Sequence, residues 1–180
     1  MFLKKFSLIL ATVFLLNIGS AYAALAPSEP QRFEEMRYVD TTVGQFDTET
    51  LKYEKDCYND ELLLDVWIKT IPEPNSGEYS LNHYLFRLNE RELMSLDQIQ
   101  YNSSGEKTYK ISNTYDAKLW TQIIPETIAD KWYSSILKYS HDNDKKLKQQ
   151  YKNRKKAYNE KNTDNGFLAY FSGITPMFCD

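Results

Sequence analysis

The sequence predicts an α+β protein, in which an antiparallel β-meander packs against a C-terminal amphipathic helix that is followed by a basic helical extension. Apolar side chains alternate at period two in several short segments, turn-forming residues separate these segments, and the period becomes helical after Trp120. The 180 residues, 42% hydrophobic and 26% charged, suit one folded domain. This composition argues against a disordered or collagen-like chain.

Residues 1–23 have the organisation of a cleaved secretory signal. Lysines precede an apolar run at 6–18, and an Ala-Tyr-Ala sequence at 21–23 provides a cleavage site. The run is shorter than the roughly 18 residues that a membrane-spanning helix needs, so no stable transmembrane anchor is predicted. We expect export to the periplasm, the cell surface or the medium. The proline-containing residues 24–35 are predicted to form a flexible leader.

Residues 36–140 are predicted to form the sheet-plus-helix domain. Residues 62–69 are the clearest strand, because leucine, valine and isoleucine occupy every second position. Turn chemistry at 72–77 ends this strand, and residues 79–88 return antiparallel to it. Further strands are predicted at 36–42, 46–54, 93–101 and 107–113.

The covering helix is predicted to begin near Pro125. One apolar stripe consists of Ile128, Trp132, Ile136 and Tyr139, which recur at helical spacing. This stripe is expected to pack on the sheet.

The remaining residues, 141–180, are predicted to form a basic extension and an apolar tail. Residues 145–161 contain eight basic side chains and one acidic one, although the whole chain has a net charge of −3. Clustered cations favour anionic surface polymers or membrane surfaces, whereas the alternative is a solvated charged helix. Nucleic acid is disfavoured for an exported protein. The basic candidates for binding are Lys145, Lys146, Lys148, Lys152, Arg154, Lys155 and Lys156.

The two cysteines, Cys57 and Cys179, are candidates for a disulfide in an exported protein. An intermolecular bridge and two inert thiols are the alternatives. The apolar tail at 167–178 either packs back on the core or forms a contact surface.

Catalytic and metal-binding motifs are missing from the sequence. It contains no HExxH, GxSxG, Walker or GxGxxG motif, and its carboxylates do not have EF-hand spacing. His83 is interpreted as a structural histidine rather than a general base, and His141 as a helix cap. We therefore predict no enzyme activity, no metal and no cofactor.

Four motifs, in their order and spacing, resemble the surface-adhesin protein E family of small exported bacterial proteins. These motifs are YVD at 38–40, FDTETLKY at 46–53, LDVWIK at 64–69 and WTQIIPET at 120–127. The resemblance implies an antiparallel sheet with a packed helix, and adhesion through binding of host matrix and serum proteins. The basic extension lies outside the shared pattern.

Together these observations predict a non-enzymatic envelope or surface protein that binds a protein or an anionic surface polymer. Trp67 and Tyr84 are the aromatic candidates for contact if one face of the sheet is open. The alternative is a periplasmic structural subunit that forms homo-oligomers or joins an envelope complex.

Overall fold

The computed structural model describes residues 32–37, 42–56 and 61–164. Within these ranges the chain forms an antiparallel sheet of eight strands and two C-terminal helices. The prediction of an α+β protein with an antiparallel sheet is confirmed. The predicted signal peptide, both cysteines and the apolar tail lie outside the described residues.

The strands and helices follow the hydrophobic pattern closely. The strands are β1 (Phe33–Arg37), β2 (Val43–Asp47), β3 (Lys52–Asp56), β4 (Glu61–Ile71), β5 (Tyr79–Arg87), β6 (Glu92–Tyr101), β7 (Lys107–Ser112) and β8 (Thr121–Gln122). The helices are α1 (Ile128–Asp142) and α2 (Asp144–Asp164), and a short 3-10 helix spans Ala117–Leu119. Because β1 begins at Phe33, residues 33–35 belong to the sheet and not to a flexible leader.

The strands pair antiparallel in the order β1-β2-β4-β5-β6-β7. Strand β3 pairs with β4 on the same side as β2, and β8 pairs with β6 on the same side as β7. Strand β2 pairs with residues 68–71 of β4, and β3 pairs with residues 61–65. Val66 and Trp67 therefore have a partner in neither strand.

The single strand predicted at 46–54 is divided by a turn. The carboxylate of Asp47 accepts hydrogen bonds from the Glu49 backbone N–H at 3.0 Å and from the Arg32 guanidinium at 2.8 Å. Such an Asx turn gives the backbone an alternative to the strand. Alternation of side chains alone did not reveal it.

Helix α1 begins at a polar cap and packs on one face of the sheet. The Thr127 hydroxyl accepts a hydrogen bond from the Asp130 backbone N–H, which satisfies one of the free donors at the helix start. Tyr133 and Ile136 are buried, and the Tyr133 hydroxyl donates to the Leu88 carbonyl. Ile128, predicted on the apolar stripe, is 49% exposed because the buried face runs through Tyr133, Ile136 and Ser140.

Alternate residues of the central strands divide the sheet into two unlike faces. The helix-covered face holds the main core, which includes Phe46, Val66, Ile68, Phe86 and, from α2, Leu147. The opposite face, here called the open face, bears no helix packed across it within the described residues. A smaller cluster of Leu63, Leu85 and Met94 lies at one end of the open face, beneath Tyr115 and Trp120.

Candidate functional site

The open face carries a chain of charged side chains that crosses the central strands. Its centre is His83 on β5, whose Nε2 lies 2.8 Å from Asp65 Oδ1 and whose Nδ1 lies 3.2 Å from Asp97 Oδ2. The Ser112 hydroxyl donates to the other oxygen of Asp97 at 2.6 Å. The pairing register brings these residues together, because His83 faces Asp97 across β5 and β6.

The arrangement favours the doubly protonated form of His83. Burial opposes the charged imidazolium, but the hydrogen bonds and charges of Asp65 and Asp97 outweigh burial and raise the pKa of His83. For Asp97, burial acts in the opposite direction, and the Ser112 and His83 hydrogen bonds lower its pKa. An imidazolium between two carboxylates has no free lone pair with which to accept a proton.

The network continues from Asp65 towards the edge of the sheet. Lys52 Nζ lies 3.4 Å from Asp65 and 3.1 Å from Glu54 Oε1. Burial opposes the charge on Lys52, yet the two carboxylates prevail and raise its pKa. Positive and negative groups therefore alternate from Glu54 to Asp97, and each charge in this half-buried layer has an opposite neighbour.

Helix α2 adds the last cation of the network. Arg154 Nη2 lies 3.5 Å from Glu54 Oε1 and donates a hydrogen bond to the Tyr53 backbone carbonyl at 2.5 Å. The Tyr53 hydroxyl in turn donates to Asp144 at the start of α2. These contacts fix α2 alongside β3, so Arg154, a predicted binding residue, has a structural role at this edge.

Trp67 lies on the open face and stacks on His83. The ring centroids are 4.7 Å apart and the planes differ by 9°, which is the geometry of a cation over an aromatic face. Trp67 borders two hollows. The larger, with a cavity volume of about 540 Å³, lies between the open face, the β2–β3 turn and α2; the smaller, about 220 Å³, extends towards Leu81 and Ile99.

Tyr84, the second predicted aromatic contact, faces the opposite side. Its ring packs against Trp132 of α1 at 5.4 Å, and burial raises the pKa of its hydroxyl. The strand register explains this difference, since Trp67 pairs with His83 whereas Tyr84 pairs with Val66 of the core. Tyr84 is therefore a packing residue beneath the helix and not an exposed contact.

The predicted basic residues of α2 fall into two groups. Three of them form ion pairs: Lys148 with Asp144, Arg154 with Glu54 and Lys156 with Glu160. Within the described part of the chain no ion pair involves Lys145, Lys146, Lys152 or Lys155. Lys145, Lys148, Lys152 and Lys156 share the exposed side of α2, and are called the lysine stripe below, whereas Leu147 on the other side is buried.

The residues of the charged network escaped prediction as a group. These residues come from different strands, so they can be grouped only when the register of the strands is known. The hairpin around the turn at 72–77 places Trp67 opposite His83. His141 lies in the last turn of α1, as the helix-cap interpretation requires. In the described ranges no cluster of metal-ligating side chains occurs, and no helix has the length and apolar character to span a bilayer.

No family model, curated protein or solved structure matches the chain. Its function is therefore inferred from its own residues.

Proposed function

We propose that this chain is a non-enzymatic exported protein that binds a macromolecular partner, in the manner of an adhesin. The observation that carries the proposal is the difference between the two faces of the sheet. Helices cover one face, whereas Trp67 and the hollows beside it remain accessible on the other. Half-buried aromatic residues in concave surfaces are favoured contact points in interfaces.

The lysine stripe supports an anionic surface polymer as the partner. Its members recur at helical spacing from Lys145 to Lys156 and span roughly 16 Å along the axis of α2. Because Lys145 and Lys152 are exposed and form no ion pair within the described residues, they can meet the anions of an extended polymer. Attraction of this kind weakens as added salt screens it.

The geometry of His83 supports a non-enzymatic role. A general base must offer a lone pair to the substrate near the operating pH, and both ring nitrogens of His83 are held by carboxylates. The Ser112 hydroxyl donates to Asp97, whose lowered pKa makes it a weak base for activating a hydroxyl. These groups serve the structure of the open face.

In this proposal the sheet is a meander, α1 closes its core, and the basic extension supplies a second binding element. Cleavage of the signal peptide after Ala23 releases the mature chain from the inner membrane. Cys57 and Cys179 are proposed to pair once the chain reaches an oxidising compartment.

The binding proposal is tested by localisation and by retention on heparin, a soluble anionic polymer. We expect a salt wash to release the protein from the cell surface. Lys145→Glu/Lys152→Glu should elute from immobilised heparin at lower salt than the wild type, and the matched control Lys107→Glu/Lys118→Glu, with the same change of net charge, should elute closer to the wild type. A strictly periplasmic pool and equal elution of both variants would refute the proposal.

A second function, a periplasmic oligomerising subunit, is favoured by strand β7. All six of its residues are exposed, and Tyr109 and Ile111 are 44% and 40% exposed. An exposed edge strand is a template for pairing with another chain. Light scattering after size exclusion separates the alternatives: an oligomer that dissociates in Ile111→Lys, or after removal of residues 167–180, supports the subunit, and a wild-type monomer excludes it.

A further inference from the structure

The larger hollow on the open face combines an aromatic wall with polar groups of both kinds. Its volume is about 540 Å³, within the range of small-ligand sites. Trp67 lies at the point where β4 pairs with neither β2 nor β3, so the division of these two strands opens the space beside the indole. The side chains that matter here are Lys52, Asp65, Trp67, His83, Asn153 and Arg154.

The polar lining offers donors and acceptors together. Arg154 lines the wall, where its Nη2 is held by the Tyr53 carbonyl and its Nε is buried. Asn153 accepts a hydrogen bond from Gln149 through Oδ1, which leaves its amide N–H groups directed elsewhere. Glu49, whose side chain is 67% exposed, supplies a carboxylate acceptor.

This mixture discriminates between classes of ligand. A compact anion would meet the carboxylates of Asp65 and Glu49, and a compact cation would meet Lys52 and Arg154. A wholly apolar ligand would leave the polar wall unsatisfied. A sugar ring fits each requirement, because its hydroxyls both donate and accept and its C–H face can lie on the indole.

We propose that the hollow binds one uncharged pyranose unit of a glycan chain, with Trp67 as the stacking platform and the Asn153 amide as a hydrogen-bond donor. The inference rests on the proposed binding function and specifies its partner as a carbohydrate. Neighbouring acidic units of the same glycan meet the lysine stripe, which lies on the solvent side of the helix that supplies Asn153 and Arg154.

The test is calorimetric titration of the mature full-length chain with maltotriose, cellotriose, mannotriose and triacetylchitotriose. We expect at least one trisaccharide to bind with a dissociation constant below about 1 mM. Trp67→Ala should weaken that binding by about tenfold or more, and Trp67→Tyr, which retains a ring, should weaken it less. Trp120→Tyr, which changes an indole over Arg87 elsewhere on the face, should leave the affinity unchanged.

A second variant protects the test against misfolding. Asn153 is exposed on α2, so Asn153→Trp fills the hollow from the helix without disturbing the core, and it should abolish binding. Failure of all four sugars to bind, or equal affinities of wild type and Asn153→Trp, would overturn the carbohydrate inference. If only the carbohydrate inference is wrong, retention on heparin should still depend on Lys145 and Lys152. Loss of that dependence would instead contradict the proposed binding function.

Discussion

The two faces of the sheet are built from alternate residues of the same strands, yet different forces hold them. Beneath the helices, Val66, Ile68 and Phe86 are fully buried and apolar, so burial of area supplies the stability. On the open face, Asp65, His83 and Asp97 occupy comparable positions and pair through charge. One face should therefore be insensitive to pH and salt, and the other should respond to both.

The largest effect is expected from truncation within the covered face. Phe86→Ala removes a ring that is 0% exposed and contacts Tyr133, so it should lower the free energy of unfolding by about 3–5 kcal/mol. Urea denaturation should show the same loss at pH 6 and pH 8.5, since no charge is involved. Leu119→Ala, at a site 41% exposed, is the control and should change stability little. A strongly pH-dependent loss in Phe86→Ala would break the comparison.

A smaller but pH-dependent effect is expected from the centre of the charged network. Asp65→Asn removes the carboxylate shared by His83 and Lys52, and it should cost about 2–3 kcal/mol at pH 6. The loss should shrink at high pH, where His83 is neutral. Glu78→Gln, at an exposed turn, provides the same chemical change without these partners. Equal losses in the two variants would show that the network contributes nothing.

The pH dependence itself sharpens the comparison. Because the pKa of His83 is raised in the folded state, its contribution is fully present below its unfolded pKa of about 6.5 and is lost as pH rises through the folded pKa. Wild type should therefore lose stability relative to His83→Gln over that interval. A flat difference between wild type and His83→Gln would contradict the prediction.

The smallest effect on stability is expected in α2, where Arg154 contacts the sheet and Lys152 is exposed on the surface. Arg154→Met should lower stability by about 1 kcal/mol, because it removes bonds to Glu54 and to the Tyr53 carbonyl. Lys152 forms no ion pair within the described residues. Lys152→Met should therefore change the free energy of unfolding by only about a few tenths of a kcal/mol. A larger loss of stability in Lys152→Met than in Arg154→Met would show that the contacts of Arg154 do not hold α2 against the sheet.

The sequence could predict those features that are formed within a single segment of the chain. Period-two alternation located β4, and helical spacing located α1, because each pattern is complete within one segment. The faces of neighbouring strands are related only through register, so Trp67 and Tyr84 were both treated as candidates although they point to opposite sides. The contact between Arg154 and Tyr53 joins positions a hundred residues apart, and no spacing rule reaches that far.

The position of α2 beside β3 has a consequence for how these molecules behave at high concentration. The Arg154 guanidinium bonds to the Tyr53 carbonyl, so that carbonyl of β3 cannot pair with a further strand. Strand β7, by contrast, presents an edge that is protected only by the charges of Lys107 and Lys110. Of the edges at β3 and β7, only the edge at β7 can then pair with a strand of a second copy. Pairing of β7 with β7 of a second copy would join two sheets edge to edge, and it would bring the lysines of both strands close together.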